Sequence, residues 1–388
     1  MKRFLPFVIV AAFLFPTFSH PVSAAEGQSA ELATKARSAV LIERDTGAVL
    51  FEKNSQQPLP PASMTKIMTM ILIMDALDKG KITLNEKVRA SEYAASMGGS
   101  QIFLEPGEEM TVNDMLKGIA IGSGNDASVA MAEHLAGSEK AFVAMMNKKA
   151  KQLGLKNTHF ANPTGLPVKD HYSTAYDMAM MAKELLKYDQ ITNYTGKYED
   201  YLRQNTDKKF WLVNTNRLVK FYQGVDGVKT GFTGEAKYCL TATAKKGNMR
   251  VIAVVFGAET PKERNTQVTQ MLDYAFNQYQ TKPLYKRNAL IVKASVSKGD
   301  QKKVNVVTSE PISILTKKGA STKDVTTEVK MNQDLKAPLQ KGEEVGMLII
   351  KKKGQVVSQS PLVSQGNVKE ASWWHLFKRT MGMFNHSS

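Results

Sequence analysis

Cysteine is nearly absent from the 388 residues: Cys239 is the only one, so no disulfide can close within the chain and the fold rests on packing. Histidine is scarce too. His134, His159, His171, His375 and His386 show neither a His-Glu-x-x-His run nor a cysteine cluster beside them, which leaves a zinc peptidase unsupported and no metal expected. They read as capping, loop or surface histidines. The sequence also has no Gly-x-Ser-x-Gly elbow and no glycine-rich phosphate loop, which disfavours an α/β-hydrolase or a nucleotide enzyme; no cofactor is expected. One apolar run stands out, Phe4 to Phe15, after the basic head Met1-Lys2-Arg3. It is shorter than the roughly 20 residues that span a bilayer. With the small residues Val22-Ser23-Ala24 behind it, it predicts a secretory signal peptide over residues 1–24 rather than an uncleaved membrane helix.

Acidic residues become sparse late in the chain. Residues 25–280 hold 31 Lys+Arg against 28 Asp+Glu, whereas residues 281–388 hold 19 against 8, so most of the formal charge of +16 belongs to the C-terminal third. Basicity of that size suits a polyanion. A secreted chain does not meet nucleic acid, which leaves anionic lipid or wall polymer as the natural counterpart.

The length suits a large domain with a smaller partner. Residues 38–53 read as a hairpin turning at Asp45-Thr46-Gly47. Ser63 to Leu77 is apolar on nearly every face and is closed by Gly80, the pattern of a central, buried helix. Helical stretches follow over 111–147, and Thr174-Ala175-Tyr176-Asp177 resembles a capping box that opens a helix over 178–188. The segment Asn162-Pro163-Thr164-Gly165-Leu166-Pro167 is a fixed loop by its turn chemistry. Strands are expected over 238–244 and 249–256, then a helix near 265–280. Residues 281–370 alternate short β-branched runs with Lys, Gly and Ser turns, a small all-β domain. In the last segment, 371–388, Trp373, Trp374, Phe377, Met381 and Phe384 share one helical face with Lys378 and Arg379 opposite. This helix is too short to cross a bilayer and is expected to lie in the interface of an anionic membrane surface.

Ser63-Met64-Thr65-Lys66 sets a hydroxyl and an amine about one helical turn apart on one face. Serine is a weak nucleophile until a base takes its proton, and lysine can do so only when burial or a second cation lowers its pKa. Alone, the tetrapeptide is common, and a helix start with a solvated lysine explains it as well. Two further elements follow in order: Ser123-Gly124-Asn125 between apolar helical stretches, and Lys229-Thr230-Gly231 at the start of a strand.

This ordered set resembles the signature of penicillin-binding proteins and class A β-lactamases. Ser96-Met97-Gly98-Gly99-Ser100, the 162–167 loop, His171-Tyr172-Ser173-Thr174, and Gly257-Ala258-Glu259-Thr260 with Arg264 are similar to the D-alanyl-D-alanine carboxypeptidase branch, across nearly the whole mature chain. The resemblance implies an α/β fold, an antiparallel sheet with a helical cluster over 25–280, with the site at their junction. It implies Ser63 as nucleophile, Lys66 as base and Ser123 as proton carrier. Asn125 would hold the peptide amide, and Lys229, Thr230, Gly231 and Arg264 would line the grip on the terminal carboxylate. The oxyanion would lie on backbone N–H groups of Ser63 and Phe232. The expected partners are peptidoglycan pentapeptides ending in D-Ala-D-Ala and β-lactams as covalent inhibitors. The expected location is peripheral, on the outer face of the cytoplasmic membrane, with a sporulation-associated member as the particular analogy. Lys237 stands where that branch commonly has glycine. A β-lactamase-like hydrolase and a non-catalytic wall-binding scaffold are the rival functions; the added β-domain and tail disfavour the first, and the intact Ser63, Lys66, Ser123 and Lys229 disfavour the second.

Overall fold

The computed structural model describes residues 31–320 and 324–373. The signal-peptide expectation, and all of the tail helix beyond Trp373, lie outside them. Strands β1 (Ser38–Glu43) and β2 (Val49–Lys53) form the expected hairpin. The run Ser63–Leu77 divides in two: a 3-10 turn over Ala62–Thr65 and then helix α1, Lys66–Asp78. Ser63 therefore stands just before the helix rather than on its first turn. Helices α2 (Val112–Ala120), α3 (Asn125–Ala136), α4 (Glu139–Gln152) and α5 (Ala175–Leu185) gather around α1. The Thr174 side chain caps α5 by accepting from the Asp177 N–H. Strands β3 (Val225–Thr233), β4 (Lys237–Lys246) and β5 (Met249–Ala258) complete an antiparallel sheet in the order β2-β1-β5-β4-β3.

The sheet has a core on each face because its strands alternate with period two. Val40, Ile42, Ile252 and Val254 face the helical cluster around α1. Leu41, Val251, Ala253 and Val255 face the opposite way, onto Val268, Met271 and Leu272 of helix α6, Pro261–Gln278. The helix expected near residue 265 thus begins earlier, at a Thr260 cap followed by Pro261, as proline's fixed φ at a first turn allows. Helix α1 buries Ile67, Met68, Met70, Ile71, Ile73 and Met74 at 3% exposure or less, each contributing about 1.5–3 kcal/mol by its transfer from water. That anchoring fixes the axis from which Lys66 projects.

Helix α6 passes directly into β6 (Tyr279–Tyr285), and β7 (Leu290–Ser295), β8 (Lys303–Thr308), β9 (Ile312–Lys317), β10 (Val325–Met331), β11 (Glu344–Lys352) and β12 (Gln355–Ser364) follow. Five form an antiparallel sheet, β7-β8-β12-β11-β10, and β6 pairs with β9. The two halves meet through charge: Lys183 reaches Glu310 at 2.6 Å, Arg287 reaches Asp78 at 3.2 Å, and Arg287 stacks on the Tyr188 ring at 5.2 Å. Among the described residues no helix is long and apolar enough to cross a membrane.

Candidate active site

The site forms where α1, α3, β3 and the 162–167 loop converge. Lys66 is fully buried. Its Nζ lies 2.6 Å from Asn125 Oδ1, 2.7 Å from the Thr164 carbonyl oxygen and 3.1 Å from Ser63 Oγ. Burial, and then the Lys229 charge, hold the Lys66 pKa well below its ordinary 10.5, with Asp126 opposing. A neutral amine has two N–H donors and one lone pair. Two of its neighbours are carbonyl-type oxygens that can only accept, so they take both donors. In that neutral form the lone pair would face the Ser63 hydroxyl 3.1 Å away, the arrangement a proton-abstracting base needs.

Close backbone packing holds these groups. A Cβ on Gly165, at φ +85, would sit 1.8 Å from the Ala62 carbonyl oxygen, and one on Gly231 would sit 2.7 Å from the Pro61 oxygen. Both glycines let the chain press against the turn that carries Ser63. Asn162 wires the loop from within: its Oδ1 accepts from the Thr164 and Gly165 N–H groups at 3.1 and 2.7 Å, so the Thr164 carbonyl is presented to Lys66. The Asp126 carboxylate accepts from the Ile102 and Leu104 N–H groups, fixing the extended loop beside α3.

Ser123 and Asn125 come to the same place. Ser123 has φ +63, a left-handed conformation uncommon for serine, and its buried Oγ has no hydrogen-bond partner among the described residues. A strained backbone and an unpaired hydroxyl are costs that functional sites carry. Asn125 Nδ2 donates to the Gly98 carbonyl at 2.6 Å, so its amide is held at both ends.

On β3, Lys229 is buried and contacts the Thr230 carbonyl at 3.3 Å. Burial, and then the Arg264 charge, bring its pKa down to about 7. Thr230 Oγ1 donates to Thr215 Oγ1 at 2.7 Å. Arg264, 6% exposed, is held by Asn265 Oδ1 at 3.1 and 2.9 Å. Among the described residues Lys229 and Arg264 form no ion pair with a carboxylate; their polar contacts are the Thr230 carbonyl and Asn265 Oδ1. Buried cations without anions make a site that favours an anionic ligand. Phe232, next on β3, is 54% exposed and stacks on Tyr238 with ring centres 4.4 Å apart.

Lys237 has φ +56 and its Nζ lies 3.4 Å from Glu259. The turn between β3 and β4 requires a left-handed residue there, which is why a glycine fits and a lysine is strained but tolerated. Cys239 is fully buried, gives its thiol hydrogen to the Ala236 carbonyl, and has its pKa pushed up to about 11 by burial; it packs as an inert hydrophobe.

Sequence reasoning passed over the Thr164 carbonyl, Asp126 and His171. A backbone oxygen leaves no mark on residue identity. Asp126 follows Asn125 directly, and a buried carboxylate at a helix start is a capping signal that could have been used. His171 sits in a run already singled out for its resemblance.

A serine hydroxyl beside a buried lysine of lowered pKa, next to a strand carrying a second buried lysine, is the arrangement of a serine acyl-transfer enzyme of the penicillin-binding type. The match to the peptidase S11, D-alanyl-D-alanine carboxypeptidase family runs over residues 24–260, and a penicillin-binding protein 5 C-terminal domain matches 279–370. The D-alanyl-D-alanine carboxypeptidase DacF of Bacillus subtilis is 66% identical over 98% of both chains. The crystal structure of penicillin binding protein 5 from Haemophilus influenzae is 32% identical, with a TM-score of 0.66 over 87% of this chain and 98% of that one. Penicillin-Binding Protein D2 of Listeria monocytogenes, solved in its ampicillin-bound form, is 30% identical, with a TM-score of 0.56 over 62% of this chain and 98% of its own. The chain belongs to the D-alanyl-D-alanine carboxypeptidase family and is a serine-type enzyme of that activity.

Proposed function

We propose that Ser63, Lys66 and Ser123 carry the reaction and that β3 with Arg264 selects a free peptide end. The observation behind this is the Lys66 amine, whose two carbonyl-type acceptors leave its lone pair for Ser63. Ser63 Oγ attacks the carbonyl carbon between the last two D-alanines while its proton passes to Lys66 Nζ. The tetrahedral oxyanion rests on the Ser63 and Phe232 backbone N–H groups. As the C–N bond breaks, the Ser123 hydroxyl gives a proton to the departing D-alanine nitrogen and is resupplied from the neighbouring lysines. Water then cleaves the Ser63 ester, with Lys66 again the base. Asn125 orients the substrate amide, and Thr230, Lys229 and Arg264 hold the terminal carboxylate beside Gly231. Its negative charge supplies the counterion that the buried cations lack, and the arginine fork suits a carboxylate.

The substrate on this reading is a peptidoglycan pentapeptide ending in D-Ala-D-Ala, and a β-lactam acylates Ser63 as a slowly released mimic. Residues 25–280 act as the catalytic domain. Residues 281–370 set it away from the membrane, and the aromatic and basic tail, 371–388, rests on anionic lipid at the outer face. The test measures release of D-alanine from an acylated L-Lys-D-Ala-D-Ala peptide and of D-alaninamide from its C-terminal amide. Wild type should release from the free acid at least about tenfold faster, as expected of a charge-assisted contact, and Ser63→Ala should release nothing. Equal rates on acid and amide would contradict the carboxylate grip. Co-sedimentation with anionic vesicles, lost on truncation after residue 370, tests the tail.

A further inference from the structure

We infer that His171 is a positioning residue for Lys66, acting through the loop that carries Thr164. This rests on the reading of Lys66 as the base.

The ring is 7% exposed. Its Nε2 lies 2.7 Å from Thr65 Oγ1, and its Nδ1 accepts from the Ala161 N–H at 3.1 Å. The second bond settles the tautomer: a nitrogen that accepts carries no proton, so the neutral ring holds its hydrogen on Nε2 and donates it to Thr65. Phe160 packs edge-on against the ring with centroids 5.9 Å apart. Burial, and then the His159 charge, lower the His171 pKa to about 4, so this bonding pattern holds throughout the neutral range.

The consequence lies in what the two bonds join. Ala161 begins the loop whose Thr164 carbonyl accepts from Lys66, and Thr65 lies between Ser63 and Lys66 in the chain. His171 therefore ties the base of the loop to the turn bearing nucleophile and base. Thr69 makes a second tie one turn along α1, giving its hydroxyl hydrogen to the Pro163 carbonyl at 2.7 Å. Without the His171 tie, and Lys66 itself aside, the loop is hydrogen-bonded to this side of the site through Thr69 alone among the described residues, so the Thr164 carbonyl is held less closely to Lys66 and the amine lone pair is directed less well at Ser63 Oγ.

The test measures acylation by a fluorescent penicillin as a function of its concentration, with peptide mapping to confirm that the wild-type label is on Ser63. A wild type labelled elsewhere would sink the reading of the site and leave the His171 geometry aside. His171→Ala should lower the limiting acylation rate on the order of tenfold, the scale of a lost buried hydrogen bond, with little change in the half-saturating concentration. His171→Gln should recover most of the rate, because its amide can accept from Ala161 and donate to Thr65. Thr65→Val should slow acylation comparably, and the double variant should be no slower than the worse single one, since both remove the same tie. A folded His171→Ala protein that acylates at the wild-type rate would overturn the inference, as would a glutamine variant no better than alanine or losses that multiply. If His171→Ala does not fold, Thr65→Val decides alone: a wild-type limiting rate there overturns it.

Discussion

Replacing Lys229 with methionine should make the protein more stable while destroying its acylation chemistry. Lys229 is 1% exposed, has the Thr230 carbonyl at 3.3 Å as its one hydrogen-bond partner among the described residues, and faces the Arg264 charge. Its pKa falls from 10.5 to about 7 on folding, and at about 1.4 kcal/mol per unit the folded state bears a cost of roughly 5 kcal/mol for keeping that proton. Below pH 7 the amine is charged in both states and the whole cost is present. Between about pH 7 and 10.5 only the unfolded chain holds the proton, so stability rises with pH; above that range the cost is gone. Methionine fills a similar volume and carries no charge. Urea unfolding followed by circular dichroism should find Lys229→Met more stable than wild type by several kcal/mol at pH 6.5, on the order of the cost above, with the gap shrinking to about 1–2 kcal/mol by pH 9.5. A variant less stable than wild type at pH 6.5, or a gap that does not narrow with pH, would refute the claim that buried, unpaired cations burden this fold.

Two further outcomes follow from the same geometry. Asn125→Asp places a carboxylate where Oδ1 now accepts from Lys66 at 2.6 Å; an ion pair there raises the Lys66 pKa, so acylation at pH 7 should fall about tenfold for each unit by which that pKa comes to exceed 7, and recover at alkaline pH. A rate-against-pH curve that superimposes on that of wild type would contradict it. Gly165→Ala puts a methyl 1.8 Å from the Ala62 oxygen at φ +85 and should cost about 3 kcal/mol of stability through overpacking and left-handed strain; calorimetry checks the first effect, and slower acylation in the surviving folded protein the displacement of the loop.

What was legible in the sequence was what depends on residue type. The apolar run after Ser63 forecast a buried helix because burial on every face leaves no polar stripe, and α1 has none. The β-branched and apolar run in residues 249–256 forecast a strand, and β5, apolar on both faces, divides its side chains between two cores. Three short motifs forecast a shared site; Ser63 and Asn125 lie within 3.1 Å of Lys66 Nζ, the Lys229 charge acts on it, and Ser123 stands two residues before Asn125. What stayed hidden depends on backbone and on contacts distant in sequence. The 3-10 turn that sets Ser63 ahead of α1 follows from the close approach of Gly165 and Gly231, neither of them near it in the chain. The Thr164 carbonyl has no side-chain signature. His171 has no metal-ligand spacing and reads from sequence as a loop or surface histidine; its burial comes from Phe160 and Thr65, contacts distant in the chain that residue type does not show.

The central claim is that Ser63 is the nucleophile and that Lys66, held neutral, activates it. Mass spectrometry of the intact protein after brief exposure to penicillin at pH 7, followed by peptide mapping, tests it most directly. The account predicts one adduct, on the peptide containing Ser63, long-lived in wild type and absent from Ser63→Ala, with Lys66→Met acylated far more slowly. An adduct on any other residue, or a Lys66→Met protein labelled at the wild-type rate, would contradict it.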